Sequence, residues 1–264
     1  MTPAAADEAP HAPTAALNWS DAWQFDGATS DGVGLTVRLE CFPNLRRAWF
    51  WAYLVLPSLS GPVVVRDHEV PLPRQGLEVR AEGLWSELWC EAPLDHWTCG
   101  LEAFAVRLDD PDDARTGEIG ERIALGLDIE WEHGGPVHTH PDDWPVAGYV
   151  LPGIVHGDVL LGRERFELDA RGEYHRTWGD RDAVAAGAWS MHGAGDFGFH
   201  VEGDGGRIDG FRSAGDDEIE IEALMRAPVP LDGGGVLDRA LCRFSAAGGV
   251  AYGWSSFREP PGGR

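Results

Sequence analysis

Strict alternation of apolar and polar residues constrains this chain more than any other feature of it. Val33, Leu35, Val37, Leu39 and Cys41 share one side of a period-two pattern, with Thr36, Arg38 and Glu40 on the other. Ile123, Leu125, Leu127, Ile129 and Trp131 repeat it against Arg122, Asp128, Glu130 and Glu132. Phe197, Phe199 and Val201, then Ile219, Ile221 and Ala223, keep the same spacing. A face that returns every second residue is the mark of a half-buried strand. Turn chemistry separates the runs: Ser60-Gly-Pro, Asp109-Asp-Pro-Asp-Asp, Gly134-Gly-Pro, Gly203-Asp-Gly-Gly and Asp232-Gly-Gly-Gly. No window holds a helical period for long; the best, Asp180 to Ala188, is short, Ala-rich and reads equally well as a loop. The pattern predicts an all-β chain of the barrel or sandwich kind.

The 264 residues suffice for one large or two smaller β domains. Residues 1–16, rich in Pro and Ala, are expected to form a disordered tail. The Pro152-Gly153 turn and the Gly157-Asp158 pair mark a seam, giving an N-terminal β domain over 17–152 and a C-terminal one over 153–264. With 44 acidic residues against 21 basic ones, all of them Arg, the net charge of −23 repels nucleic acid and anionic membranes. The longest apolar run, Ala48 to Leu56, falls far short of the ~20 residues of a spanning helix. Asp7, Glu8, Asp21, Asp26 and Asp31 all precede the first basic residue, Arg38, a start unlike a secretory leader; a cytoplasmic protein is expected. Cys41, Cys90, Cys99 and Cys242 are scattered without a CxxC pair and read as buried thiols.

Twelve tryptophans call for an explanation. Trp49, Trp51 and Tyr53 share a strand face just after Arg46-Arg47; Trp85 and Trp89 share another; Trp97 lies in the next strand, and Trp178, Trp189, Tyr252 and Trp254 belong to the second half. Such rings either fill a barrel core or line an apolar cavity with cation-tolerant walls. Gly172-Glu-Tyr-His-Arg-Thr-Trp-Gly-Asp-Arg-Asp182 is the stretch richest in ionisable groups. Its Tyr174, Arg176 and Trp178 fall on one strand face, His175 and Thr177 on the other, and Asp180, Arg181 and Asp182 gather at the strand's exit. An Asp beside an Arg is often a loop clamp with a lowered pKa, whereas a general acid needs an apolar wall. His138-Thr-His140, with Asp142 and Asp143 behind, resembles the start of a metal site, yet position 132 is Glu and positions 144 and 145 are Trp and Pro, so a cupin pattern fails and no metal is assigned. The sequence has no G-x-S-x-G elbow, no G-x-G-x-x-G followed by a helix and no Walker-type loop.

The 172–182 stretch resembles the G-x-R-D-H-S-W-G-x-R-D signature of the carotenoid 1,2-hydratase (hydroxyneurosporene synthase) family and its relatives: Gly172, Trp178, Gly179, Arg181 and Asp182 match in register. Glu87-Leu-Trp-Cys-Glu-Ala-Pro-Leu-Asp-His-Trp97 and the strand from Glu121 to Trp131 also look like that family's first barrel. Tyr174, His175 and Arg176 depart from it, standing where the signature has Arg, Asp and His. The resemblance implies two lipocalin-like (calycin-type) antiparallel β-barrels, or strongly curved sheets, packed together. It also implies hydratase or cyclase chemistry, of the lyase or isomerase type, on a hydrophobic isoprenoid or polyene-like molecule, with no cofactor. In that scheme Asp182 or Asp180 donates a proton, His175 relays it or positions water, and Trp178 and Trp189 flank the cation. Trp49, Trp51 and Trp85 line the pocket, and Arg176 pairs with an acidic ligand group. The alternative is a lipophile-binding carrier or sensor in which Arg46, Arg47 and Arg176 hold a ligand carboxylate. The partner in either case is a small hydrophobic molecule, with no nucleic acid and no membrane span; the sequence leaves the oligomeric state open.

Overall fold

The structure, a computed structural model, describes residues 2–117, 119–140, 144, 146–184, 186–203, 210–212, 218–232 and 234–259. The strands run β1 Trp19–Ala28, β2 Gly34–Phe42, β3 Arg47–Val55, β4 Val63–Pro71, β5 Leu77–Ala81, β6 Leu84–Ala92, β7 His96–Leu108, β8 Gly120–His133 and β9 His138–Thr139. They continue as β10 Val146–Leu161, β11 Glu164–Asp180, β12 Trp189–Gly195, β13 Phe199–Gly203, β14 Gly210–Arg212, β15 Glu218–Arg226, β16 Val229–Pro230, β17 Val236–Ala246 and β18 Gly249–Glu259. One turn of helix, Asp113–Thr116, interrupts them. No helix among the described residues is long and apolar enough to cross a membrane.

Eleven strands form the first sheet, in the order β4-β3-β2-β1-β11-β10-β8-β7-β6-β5, with β9 on β10. It closes on itself where Val63 and Val64 of β4 pair with Arg107 and Val106 of β7. The alternation predicted from sequence is what fills this barrel: Leu35, Val37, Leu39 and Cys41 of β2 and Leu125, Leu127, Ile129 and Trp131 of β8 point inward, with Trp23, Phe25, Trp97 and Tyr174 among them. Seven strands form a second, open sheet, β13-β12-β18-β17-β15-β14 with β16 on β17. All-β architecture with large antiparallel sheets therefore holds, as one closed barrel and one open sheet among the described residues.

Two boundaries differ from the sequence reading. Pro152 and Gly153 lie in the middle of β10, paired to β11 on one side and, at Gly153, to β8 on the other. The chain changes sheet between Asp180 and Trp189, not near 152. The dipeptide marks a close crossing instead of a turn. Gly153 and Gly27 flank Gly172 on adjacent strands, and a Cβ on Gly172 would fall 1.7 Å from the carbonyl oxygen of Asp26.

The Pro/Ala-rich segment is not a loose tail either. Ala5–Glu8 forms a 3-10 turn, and Glu8 is buried, 5% exposed, against the barrel interior. Its carboxylate accepts from the hydroxyls of Tyr149 (2.9 Å) and Tyr174 (2.6 Å) and from the backbone N–H of Leu94 (3.2 Å). Arg176 lies in the same interior, donating to the carbonyls of Asp7 (2.8 Å) and Ala9 (2.9 Å), pairing with Asp21 and stacking over Trp23. Composition favours disorder only where nothing buries the segment; here one acid and one arginine, each hydrogen-bonded several times, anchor it.

Removing the Glu8 carboxylate strands two buried phenol groups. Glu8→Ala is expected to lower unfolding stability by about 2–3 kcal/mol, read as a lower urea midpoint with an unchanged slope.

Candidate functional site

Strand alternation assigns each residue of β11 to one of two surroundings. Tyr174, Arg176 and Trp178 face the barrel interior, while Glu173, His175 and Thr177 face outward, toward the second sheet. The register of β1 on β11 puts Gln24 beside His175 and Asp26 beside Glu173 on the same outer face. On β2 that face carries Thr36, Arg38 and Glu40, and on β3 it carries Trp49, Trp51 and Tyr53. Opposite them the second sheet presents Arg239 and Leu241 of β17, Trp254, Ser256 and Arg258 of β18, and His192 and His200, which pair across β12 and β13.

A cavity of about 210 Å³ lies between the two faces. Trp51 from the barrel side and Trp189 and Trp254 from the second sheet line it, together with Trp144 and with Trp178, whose ring packs on Tyr149 of the barrel interior and also reaches the cavity. Its ionisable wall holds Asp26, His175, His192, His200, Glu202 and His140, and its arginine wall holds Arg38, Arg181, Arg239 and Arg258. Two further hollows, of about 400 Å³ and about 330 Å³, reach His192 and His200 respectively, and both reach His138.

Hydrogen bonding orders this seam. Asp26, buried, accepts from Thr36 (2.5 Å), from Gln24 (2.7 Å) and, across the sheets, from Arg239 (2.8 Å). Burial opposes its ionisation, but Arg239 and His175 outweigh that and hold its carboxyl well below the usual range. Glu173 Oε2 lies 2.8 Å from Nδ1 of both His192 and His200, and 3.5 Å from His175 Nε2. Its pKa is likewise lowered, burial being overcome by the two nearer imidazoles. Burial also works against charge on His200, yet Glu173 and Glu202 carry it up to about 10, whereas burial leaves His175 below its ordinary value despite Asp26. Two sets of donors could hold a metal ion: Asp26, His175 and His192, and Glu173, His192 and His200, the atoms of each lying within 4.8 Å of one another.

The residues singled out in the sequence divide sharply. His175, Trp178, Trp189 and Trp51 line the cavity. Trp49 packs instead under Phe42, His68 and Arg181, and Trp85 borders a separate surface hollow with Phe104 and Leu160. Arg176 is fully buried inside the barrel and satisfied by the chain's own carbonyls and Asp21, so it faces no ligand. Asp182 is exposed and accepts from Asn18 at 2.7 Å, and Asp180 accepts from the Asp182 backbone N–H at 3.1 Å. Both lie off the cavity wall, as clamps on the turn after Gly179, whose φ of +145° suits glycine. Arg46 and Arg47 stand away from the cavity as well, Arg47 pairing with Glu69 and Asp232. His138 and His140 border the histidine group, while Asp142 and Asp143 lie outside the described residues. Glu173, His192 and His200 went unread in the sequence. The available signal was that alternation puts His200 opposite Phe199 and Val201, and so on the face away from the apolar one. The four cysteines are free, and burial pushes the Cys41 thiol up to about 12 and that of Cys90 up to about 11.

A family model described as a domain of unknown function, DUF7064, matches residues 4–211. That span begins inside the segment anchored by Glu8 and runs past His200. Among solved structures, an AttH protein of Nitrosomonas europaea superposes with a TM-score of 0.57 at 12% identity, over 91% of this chain and 92% of that one. CghA gives 0.51 at 12% identity over 97% and 95%. CghA in complex with Sch210972 gives 0.50 at 12% identity over 94% and 90%. At such identities the likeness is one of fold. No curated protein matches the sequence.

Glu40 supplies a pH test of the seam. Burial raises its pKa, but Arg181 and Arg38 overcome that and bring it to about 2, with Ser20 hydrogen-bonded to it and Arg258 nearby. A depressed carboxyl contributes its stability fully above its ordinary pKa of 4.5 and loses it as pH falls through about 2. Glu40→Gln is expected to lower stability at neutral pH and to flatten the acid limb of the stability–pH curve between those two values, as followed by thermal melting.

Proposed function

The chain belongs to the family of the domain of unknown function DUF7064, and we propose that it is an enzyme of the hydratase or cyclase type, binding a small hydrophobic molecule between its barrel and its second sheet. One observation carries the reading. Indole rings from both sheets line a half-open cavity that also carries a group of ionisable side chains, with His175 at the position where the hydratase signature has its aspartate. Apolar walls hold the substrate and π-faces tolerate developing positive charge, while the polar wall handles the oxygen that enters, leaves or directs ring closure. Addition of water and ring closure both conserve oxidation state overall, so neither asks for an electron carrier. The cavity volume of about 210 Å³ lies below the ~300 Å³ where pockets for drug-sized ligands begin. That supports a compact substrate, or a compact reacting end, over a fully enclosed polyene chain.

The carrier reading keeps the same cavity and drops the chemistry. What favours it is that Arg181 and Asp182, two residues shared with the signature, serve as a clamp here: Arg181 pairs with Glu40 and stacks on Trp49.

Incubation with compact isoprenoid and polyketide-like alkenes, followed by mass spectrometry, separates the two. The expected result is a product isomeric with the substrate, or heavier by one water, formed by the wild type and lost in His175→Ala with ligand binding retained. Trp51→Ala is expected to weaken binding by about 30-fold, the loss typical of a buried indole anchor. Tight binding with every ligand recovered unchanged would leave the carrier.

A further inference from the structure

We propose that Glu173, His192 and His200 bind a divalent first-row transition-metal ion, with His175 closing a fourth side of the site. Three strands from two sheets converge on one point: β11 supplies Glu173 and His175, β12 supplies His192 and β13 supplies His200. The register brings His192 directly opposite His200, and Glu173 Oε2 stands 2.8 Å from an Nδ1 of each. His175 Nε2 lies 3.5 Å from that oxygen and 3.4 Å from Asp26 Oδ2. Imidazole nitrogens with one carboxylate form the donor set that suits zinc, iron, cobalt and nickel, and the donor atoms of Glu173, His192 and His200 all lie within 4.8 Å of one another.

Two independent features make this a ligand site and not a filled polar core. First, the Nε2 atoms of His175, His192 and His200 are buried without a hydrogen-bond partner among the described residues. Other buried atoms without a partner, such as the indole nitrogens of Trp97 and Trp131, are spread through the molecule, whereas these three imidazoles converge on one carboxylate, Glu173. Second, Glu173 is buried yet, among the described residues, forms ion pairs with imidazoles alone. The other buried carboxylates of the seam have arginines: Asp26 has Arg239, and Glu40 has Arg38 and Arg181. Burying a carboxylate is costly without a compensating cation; where no guanidinium reaches Glu173, that charge comes from a protonated imidazole in the empty site and from the metal ion in the filled one.

Access and support are present as well. Three hollows border the cluster and offer a way in. Glu202 lies 3.8 Å from His200 Nε2 and 2.9 Å from His140 Nδ1, an outer carboxylate of the kind that orients ligating histidines. A metal held there would polarise an oxygen atom of a ligand in the adjoining cavity.

The test uses full-length protein made without a polyhistidine tag, stripped with a chelator and titrated with Co²⁺ and with Zn²⁺. The expected outcome is one ion per chain, a cobalt spectrum showing nitrogen and oxygen ligands, and a rise in melting temperature on adding Zn²⁺. Losing even an outer-shell partner typically costs about 10–100-fold in affinity. His192→Gln and His200→Gln should each lose at least that much, while His96→Gln, in the partly exposed His96–Glu130–Glu132 group, should lose none. Absence of one-to-one binding by the wild type with either ion overturns the proposal, whether or not the variants fold. So does binding that survives His192→Gln and His200→Gln but disappears with His96→Gln. Metal content is read without substrate, so this test stands or falls apart from the reaction proposed above.

Discussion

The contact between Asp26 and Arg239 holds the architecture together. One residue belongs to β1 of the barrel and the other to β17 of the second sheet, and the pair is almost fully buried. Each partner is hydrogen-bonded beyond the pair, Asp26 to Gln24 and Thr36 and Arg239 to Thr36 and Ser256, and Arg239 also lies over Trp254. Buried ion pairs often add little net stability over apolar packing, but removing one partner costs several kcal/mol because the other charge stays behind. Such a pair therefore specifies more than it stabilises. It sets where the second sheet sits on the barrel, and so which outward residues of β11 meet which residues of β12 and β13.

The barrel itself is occupied. Trp23, Phe25, Trp97, Trp131 and Tyr174 pack in its interior, with Phe25 and Tyr174 stacked at 4.7 Å, and the Glu8 segment lies against the same interior. On the proposed reading function falls to the seam, where the outer face of a barrel that would otherwise be solvated is covered by a second sheet. Polar outer positions, free of any duty to the core, become an enclosed chemical surface.

Strand periodicity was legible because the barrel needs it: a one-residue slip in β2 or β8 would send every apolar side chain outward. The same parity correctly separated His175 from Tyr174 and Arg176. Sequence alone could not say which side of β11 was the chemical one, because both sides turned out to be buried, one inside the barrel and one beneath the second sheet. Arg176 thus looked available for a ligand and is enclosed by the chain's own carbonyls. Asp182 matched the signature in register and faces solvent. Glu173 passed unnoticed because its partners, His192 and His200, come from a hairpin in the other sheet, and only the pairing of two sheets shows that the three belong together. The seam near 152 was misplaced for a related reason. Glycine and proline usually end strands, but three strands approaching closely also demand glycine, and Gly27, Gly153 and Gly172 meet that need.

The segment around Glu8 bears on how this protein can be handled. Its carboxylate, the carbonyls of Asp7 and Ala9, and the ring of His11 stacked on Trp178 at 4.0 Å stop up the barrel like a cork with its own catch. A protease nick between this stopper and β1 would cut the chain that ties it to the barrel wall, leaving only its own hydrogen bonds and the stacked imidazole to keep it seated.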